Sequence, residues 1–135
     1  MNIEKFFGNW VLLPELCIYQ NGEPPPSGLY VIRSKTEVIE FEIEWKDTSG
    51  TDHSLSYGGP LDGKKHTSDS PGVSDVAYEK IDDLTLDSTS YDGDKILMYV
   101  RRVASETGDL LAVSQVIFGE NGSLSNFQVY RRKGA

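Results

Sequence analysis

The side chains able to do covalent or metal chemistry are few and far apart. The histidines are His53 and His66, and the one cysteine is Cys17. None of the three stands at a spacing that metal ligation uses, so no metal site and no cofactor is expected, and each histidine reads as a surface or rim residue. Asp82-Asp83 and Asp92-Gly93-Asp94 have the oxygen-rich composition of a calcium loop without its length, and they read as turns. There is no Gly-x-Ser-x-Gly and no phosphate-cradling loop, and Ser105 and Ser114 have no evident histidine partner. Two kinds of chemistry remain. One is acid–base catalysis, pairing His53 with Tyr57 or Tyr130. The other is recognition by a buried charge. Arg101 and Arg102 interrupt an apolar stretch, and in a strand one of two neighbours must face inward. An unpaired buried guanidinium is costly, so the inward one needs a carboxylate or an anionic ligand. Arg102 is preferred for that place, with Arg101 left open.

These residues must be held by strands. The pattern of the chain is alternation broken by turn residues every ~8–12 positions, with no helical-period segment of useful length. The clearest case runs from Val38 to Lys46. Ile39, Phe41, Ile43 and Trp45 share one face, and Glu40, Glu42, Glu44 and Lys46 the other. Strands are expected at 8–19, 28–35, 37–46, 53–58, 63–67, 73–82, 84–91, 95–105, 110–118 and 123–132. Asp92-Gly93 and Asn121-Gly122 are tight-turn dipeptides, and Thr48-Ser49-Gly50 and Thr107-Gly108-Asp109 read as hairpin loops. Sequential antiparallel strands of this length leave two sheet edges, and closure into a barrel removes both. The expected fold is therefore all-β, a closed or nearly closed up-and-down antiparallel barrel of 8–10 strands over residues 1–135. A β-sandwich is the competing solution.

Composition narrows the function classes. At 38% hydrophobic and 25% charged, the chain has a globular profile. Its formal net charge of −8 argues against nucleic acid and against anionic lipid surfaces. Residues 1–13 carry Glu4 and Lys5 within the apolar stretch and do not read as a secretory signal, and a lone cysteine gains nothing from an oxidising compartment. A cytoplasmic location is the expectation.

The chain opens with Phe6-Phe7-Gly8-Asn9-Trp10 and closes with Phe127-Gln128-Val129-Tyr130-Arg131-Arg132-Lys133. Gly-x-Trp entering the first strand resembles the lipocalin signature. The order Gly-x-Trp, Pro-rich loop, Asp-Gly-Lys at 62–64, Ser-x-x-Gly hairpin and terminal Tyr-x-Arg is similar to a small bacterial lipocalin-like (calycin) domain across nearly the whole chain. The resemblance implies an arginine near the C-terminus lying against the tryptophan, so Arg132 or Arg131 would close the floor with Trp10. There are departures. The second lipocalin motif is represented at best by Asp82-Asp83-Leu84-Thr85. The loop at 20–27 has no room for the helical lid of fatty-acid-binding proteins. The Arg-x-Tyr pair those proteins use for a carboxylate is inverted, as Tyr130-x-Arg132.

With the floor at Trp10, the mouth is formed by the loops at 20–27, 47–52, 67–72, 92–94 and 119–122. Phe41, Ile43, Trp45, His53, Tyr57, Arg102, Gln128 and Tyr130 are the candidate ligand-binding residues. Three functions fit. The first is a barrel binding a small hydrophobic or amphipathic molecule. The second is an interaction module with a filled barrel, compatible with a homodimer. The third is an isomerase or cyclase working in the lumen.

Overall fold

A computed structural model describes residues 3–134; positions 1, 2 and 135 of the expected domain lie outside it. The strands are β1 (Gly8–Leu12), β2 (Ile18–Tyr19), β3 (Ser27–Lys35), β4 (Val38–Lys46), β5 (Asp52–Pro60), β6 (His66–Thr67), β7 (Asp75–Asp82), β8 (Thr85–Asp92), β9 (Lys95–Ala104), β10 (Leu110–Gly119) and β11 (Gly122–Arg132). They form one antiparallel sheet in the order β5-β4-β3-β1-β11-β10-β9-β8-β7-β6, with β2 paired to β11 off that path. The sheet curls until its ends face each other. There, Gly63 N–H donates to the Tyr78 carbonyl at 2.8 Å. Gly59 lies against the Tyr78 ring, where a Cβ would approach within 3.2 Å, so glycine permits this close approach. No ladder joins β5 to β7 among the described residues, and the barrel is nearly closed.

The first expected strand, 8–19, is broken in two. Pro14 has no N–H to give a ladder and opens a 3-10 turn, Pro14–Leu16. Leu13 N–H still reaches the Val129 carbonyl at 2.8 Å, and pairing with β11 resumes at Ile18 opposite Phe127. Cys17 therefore ends a turn rather than sitting within a strand, its thiol 3.3 Å from the Leu13 carbonyl. No α-helical lid follows β1. The expected strand at 63–67 shrinks to the two residues of β6. The Gly93 and Gly122 turns are present but shifted by one residue, since Asp92 pairs with Lys95 and Gly119 with Gly122. The β3–β4 turn was not marked by glycine: Thr36 and Glu37 take φ of 47° and 64°, a conformation that disfavours branched side chains.

The floor is dry. Ile3, Phe6 and Trp10 are completely buried, and the Trp10 indole N–H donates to the Phe6 carbonyl at 2.9 Å. The Arg132 guanidinium stands 4.3 Å from the Trp10 ring and donates to the carbonyls of Phe7, Gly108 and Lys5 at 2.6–2.7 Å. Arg132 is thus the floor arginine. Arg131 is not: it pairs with Val11, and alternation turns it outward, where it is exposed. Among the described residues no helix is long and apolar enough to cross a membrane.

Candidate functional site

Register fixes which side chains share the lumen. Phe41 lies opposite Tyr57, Ile43 opposite Leu55 and Trp45 opposite His53, so each pair faces the same way. On β3 the inward positions include Tyr30 and Ile32. On β9 they are Met98, Val100, Arg102 and Ala104, aligned across β10 with Ile117, Gln115, Val113 and Leu111. On β11 they are Asn126, Gln128 and Tyr130.

At the middle of this lumen sits Arg102, 1% exposed. Its Nε donates to the Tyr30 hydroxyl at 2.7 Å, one terminal nitrogen to Ser88 Oγ at 3.0 Å and the other to the Tyr57 hydroxyl at 3.3 Å. The guanidinium carbon lies 4.4 Å from the Phe41 ring centroid. No carboxylate touches it among the described residues, so the salt bridge considered as its partner does not form. The nearest strand acid, Asp87, faces the opposite side of β8 and binds Arg101 in bidentate fashion at 2.8 Å. That resolves the two arginines: Arg101 is outside with its own counter-ion, and Arg102 is inside with hydroxyls alone. Desolvation works against the Arg102 charge, but its tyrosine partners outweigh it and hold the pKa above its ordinary value. Burial pushes the Tyr30 phenol well above its usual range. Tyr30 therefore stays neutral at physiological pH and cannot cancel the charge. Among the described residues no carboxylate is ion-paired with Arg102, although its charge is felt by Asp87 on the other face of β8.

A second polar group lines the β11 side. Tyr130 donates to Gln128 Oε1 at 3.0 Å, and Gln128 Nε2 donates to the Tyr19 hydroxyl. Burial raises the pKa of both tyrosines. Towards the mouth the packing opens. Ile43 and Trp45 are half-buried, while Leu55 keeps 46% and Ile117 37% of their surface although both face the lumen. His53 stands at the rim, stacked on Trp45 at 5.1 Å and hydrogen-bonded to Asp47 at 2.7 Å. It reaches neither Tyr57 nor Tyr130, so the acid–base pair of the isomerase reading is not assembled. His66, opposite inward-facing Val76 at the rim, bonds Asp62 at 2.9 Å.

The candidate residues Phe41, Ile43, Tyr57, Arg102, Gln128 and Tyr130 are brought together in the lumen, with Trp45 and His53 at its rim. Tyr30, Ser88 and Tyr19 were missed. Tyr30 alternates with Ile32 in a readable strand and could have been found. Tyr19 could not, because the Pro14 turn resets the alternation before it.

Comparison with solved structures gives a consistent picture. A mutant of the fluorescent protein UnaG superposes with a TM-score of 0.66 at 16% identity, covering 98% of this chain and 99% of the other. As-p18, an extracellular fatty acid binding protein, gives 0.60 at 13% identity over 96% and 97%. Zebrafish ileal bile acid-binding protein complexed with cholic acid gives 0.57 at 12% over 95% and 98%. The fold is a calycin barrel. Identities this low carry the architecture and nothing more. The sequence itself matches no family model and no curated protein. Between β1 and β3 of this chain a 3-10 turn and the short β2 follow the edge of β11.

Proposed function

We propose that this calycin barrel binds a small, partly hydrophobic molecule bearing an anionic group, with the anion at Arg102 and the apolar body in the upper lumen. One observation carries the reading: a buried guanidinium held by Tyr30, Tyr57 and Ser88 with no carboxylate in contact. A charge in such a place is destabilising unless something compensates it, and a ligand anion does so. Tyr30 and Tyr57 bond each other at 3.0 Å and offer hydroxyls to the same anion. Leu55, Ile43, Met98 and Ile117 supply the apolar wall above. Two of the similar structures are named for acids with an apolar body, a fatty acid and a bile acid, which is the same chemical class.

The test is calorimetric titration of hexadecanoic acid against hexadecanol, in the wild type and in Arg102→Met. The acid is expected to bind at least ~30-fold more weakly to the variant, because a buried charge pair is lost. The alcohol should bind weakly and equally to both. Equal binding of acid and alcohol by the wild type, or acid binding untouched by Arg102→Met, overturns the reading. A second reading, an interaction module, draws on the unpaired outer edge of β5. A monomer by light scattering at high concentration, with no partner adding to that edge, counts against it.

A further inference from the structure

The structure assigns a second polar subsite to Asn126. We infer that the ligand is a hydroxylated amphipathic acid rather than a plain alkyl acid. This rests on the anion reading of Arg102.

The argument starts from register. Asn126 lies opposite Gln115 on β10 and Tyr19 on β2, on the same face of β11 as Gln128 and buried Tyr130. Among the described residues its Oδ1 is the buried side-chain polar atom without a hydrogen-bond partner. Its neighbours do not serve it. The Gln128 amide is committed at both ends, its oxygen to Tyr130 and its nitrogen to Tyr19. Native interiors pair nearly all such atoms, and an unpaired one costs stability in the empty protein. The atom is buried in the empty barrel, so a ligand group would meet it by displacing a neighbouring side chain. A hydroxyl meets the Asn126 amide whichever way its oxygen and nitrogen stand, since it both donates and accepts.

Position supports the same conclusion. Arg102 aligns through Val113 with Gln128, so Asn126 lies two strands across and two residues nearer the mouth. Sheet spacing makes that roughly 12 Å between Cα atoms. Asn126 is on the mouth side of Arg102, along the path that a chain anchored at the guanidinium would follow. A hydroxyl partway along such a chain is read there, and one beside the carboxylate is not.

The experiment is calorimetric titration of hexadecanoic acid and its mono-hydroxy isomers, with the hydroxyl beside the carboxylate, at mid-chain or at the terminus. In the wild type a mid-chain isomer should bind about ten-fold tighter than hexadecanoic acid, the value of one net hydrogen bond. In Asn126→Leu the affinity ratio of the mid-chain isomer to hexadecanoic acid should fall to about one. The ligand-free thermal midpoint of Asn126→Leu should hold or rise, because an unsatisfied polar group has gone. A structurally required asparagine would lower it. Asn126→Ala gives the same comparison should the larger side chain not fit. The inference is overturned if no isomer outbinds the parent acid, or if the advantage survives in the variants. If hexadecanoic acid itself fails to bind, the Arg102 reading fails and takes this one with it. If it binds but no hydroxyl is read, only the subsite falls.

Discussion

The floor and the mouth of this barrel are built from the same strands and differ in what they do with polar groups. At the floor, Arg132 gives its donors to the carbonyls of Phe7, Gly108 and Lys5 and its flat face to Trp10. At mid-height, Arg102 is more deeply buried, with neutral hydroxyls as its hydrogen-bond partners. Above it the Asn126 side-chain oxygen has no partner, and Leu55 and Ile117 stay partly exposed. Two arginines of one chain thus show two uses of a buried cation. One closes a structure by satisfying backbone carbonyls. The other holds its charge among hydroxyl groups and an aromatic ring.

This comparison can be broken by substitution. Trp10→Ala should cost the most, about 3–5 kcal/mol in urea unfolding, as for a fully buried aromatic that leaves a cavity. A loss under 1 kcal/mol would mean that the floor is not the keystone of the fold. Arg132→Ala should cost about 2 kcal/mol through its stacking and hydrogen bonds, whereas exposed Arg131→Ala should stay within about 0.5 kcal/mol. Equal effects would erase the distinction between the two. Arg102→Met in the ligand-free protein should behave in the opposite sense, leaving stability unchanged or raising it by ~1–4 kcal/mol, since a buried charge is replaced by an apolar chain. A marked loss would make Arg102 a structural residue like Arg132.

Acid should sharpen the comparison least. Asp47 is held below the ordinary carboxylate value of 3.8 by the Ser49 hydroxyl and by His53. Asp62 and Asp82 are lowered by the backbone N–H groups of Lys64 and Leu84. Asp87 is lowered, against its own desolvation, by Arg101 and Tyr99. A carboxyl with a folded pKa below its unfolded one stabilises fully above the unfolded value and loses that contribution as pH falls through the folded value. From these four groups, stability should be level from neutrality to about pH 5 and fall below about pH 4. Asp87→Asn and Asp47→Asn should flatten that fall, and substitution of the exposed Asp62 or Asp82 should alter it less. A fall beginning near pH 6 would point to other groups.

Much of the barrel was legible in the chain. The β4 alternation gave the right inward set, because a two-residue period with glutamates on the other face allows one burial only. The floor pair of Trp10 and Arg132 was legible from the order of motifs, but the choice of Arg132 over Arg131 needed the register. Pro14 was visible, yet the strand was carried through it. The ladder on either side is kept by β11, a partner more than a hundred residues away, which no local pattern encodes.

What the sequence determined by itself is therefore the all-β alternation, the inward face of each long strand and the need for one buried arginine on β9. These follow from local geometry and from the cost of exposing apolar surface. What only the tertiary structure decided is who meets whom across the lumen. Tyr30, Tyr57 and Ser88 converge on Arg102 from three different strands, Asp87 is drawn to the outer face, and the Asn126 side-chain oxygen is left without a partner. Charge compensation and hydrogen-bond satisfaction are properties of the closed barrel, and they exist only once distant strands have been brought together.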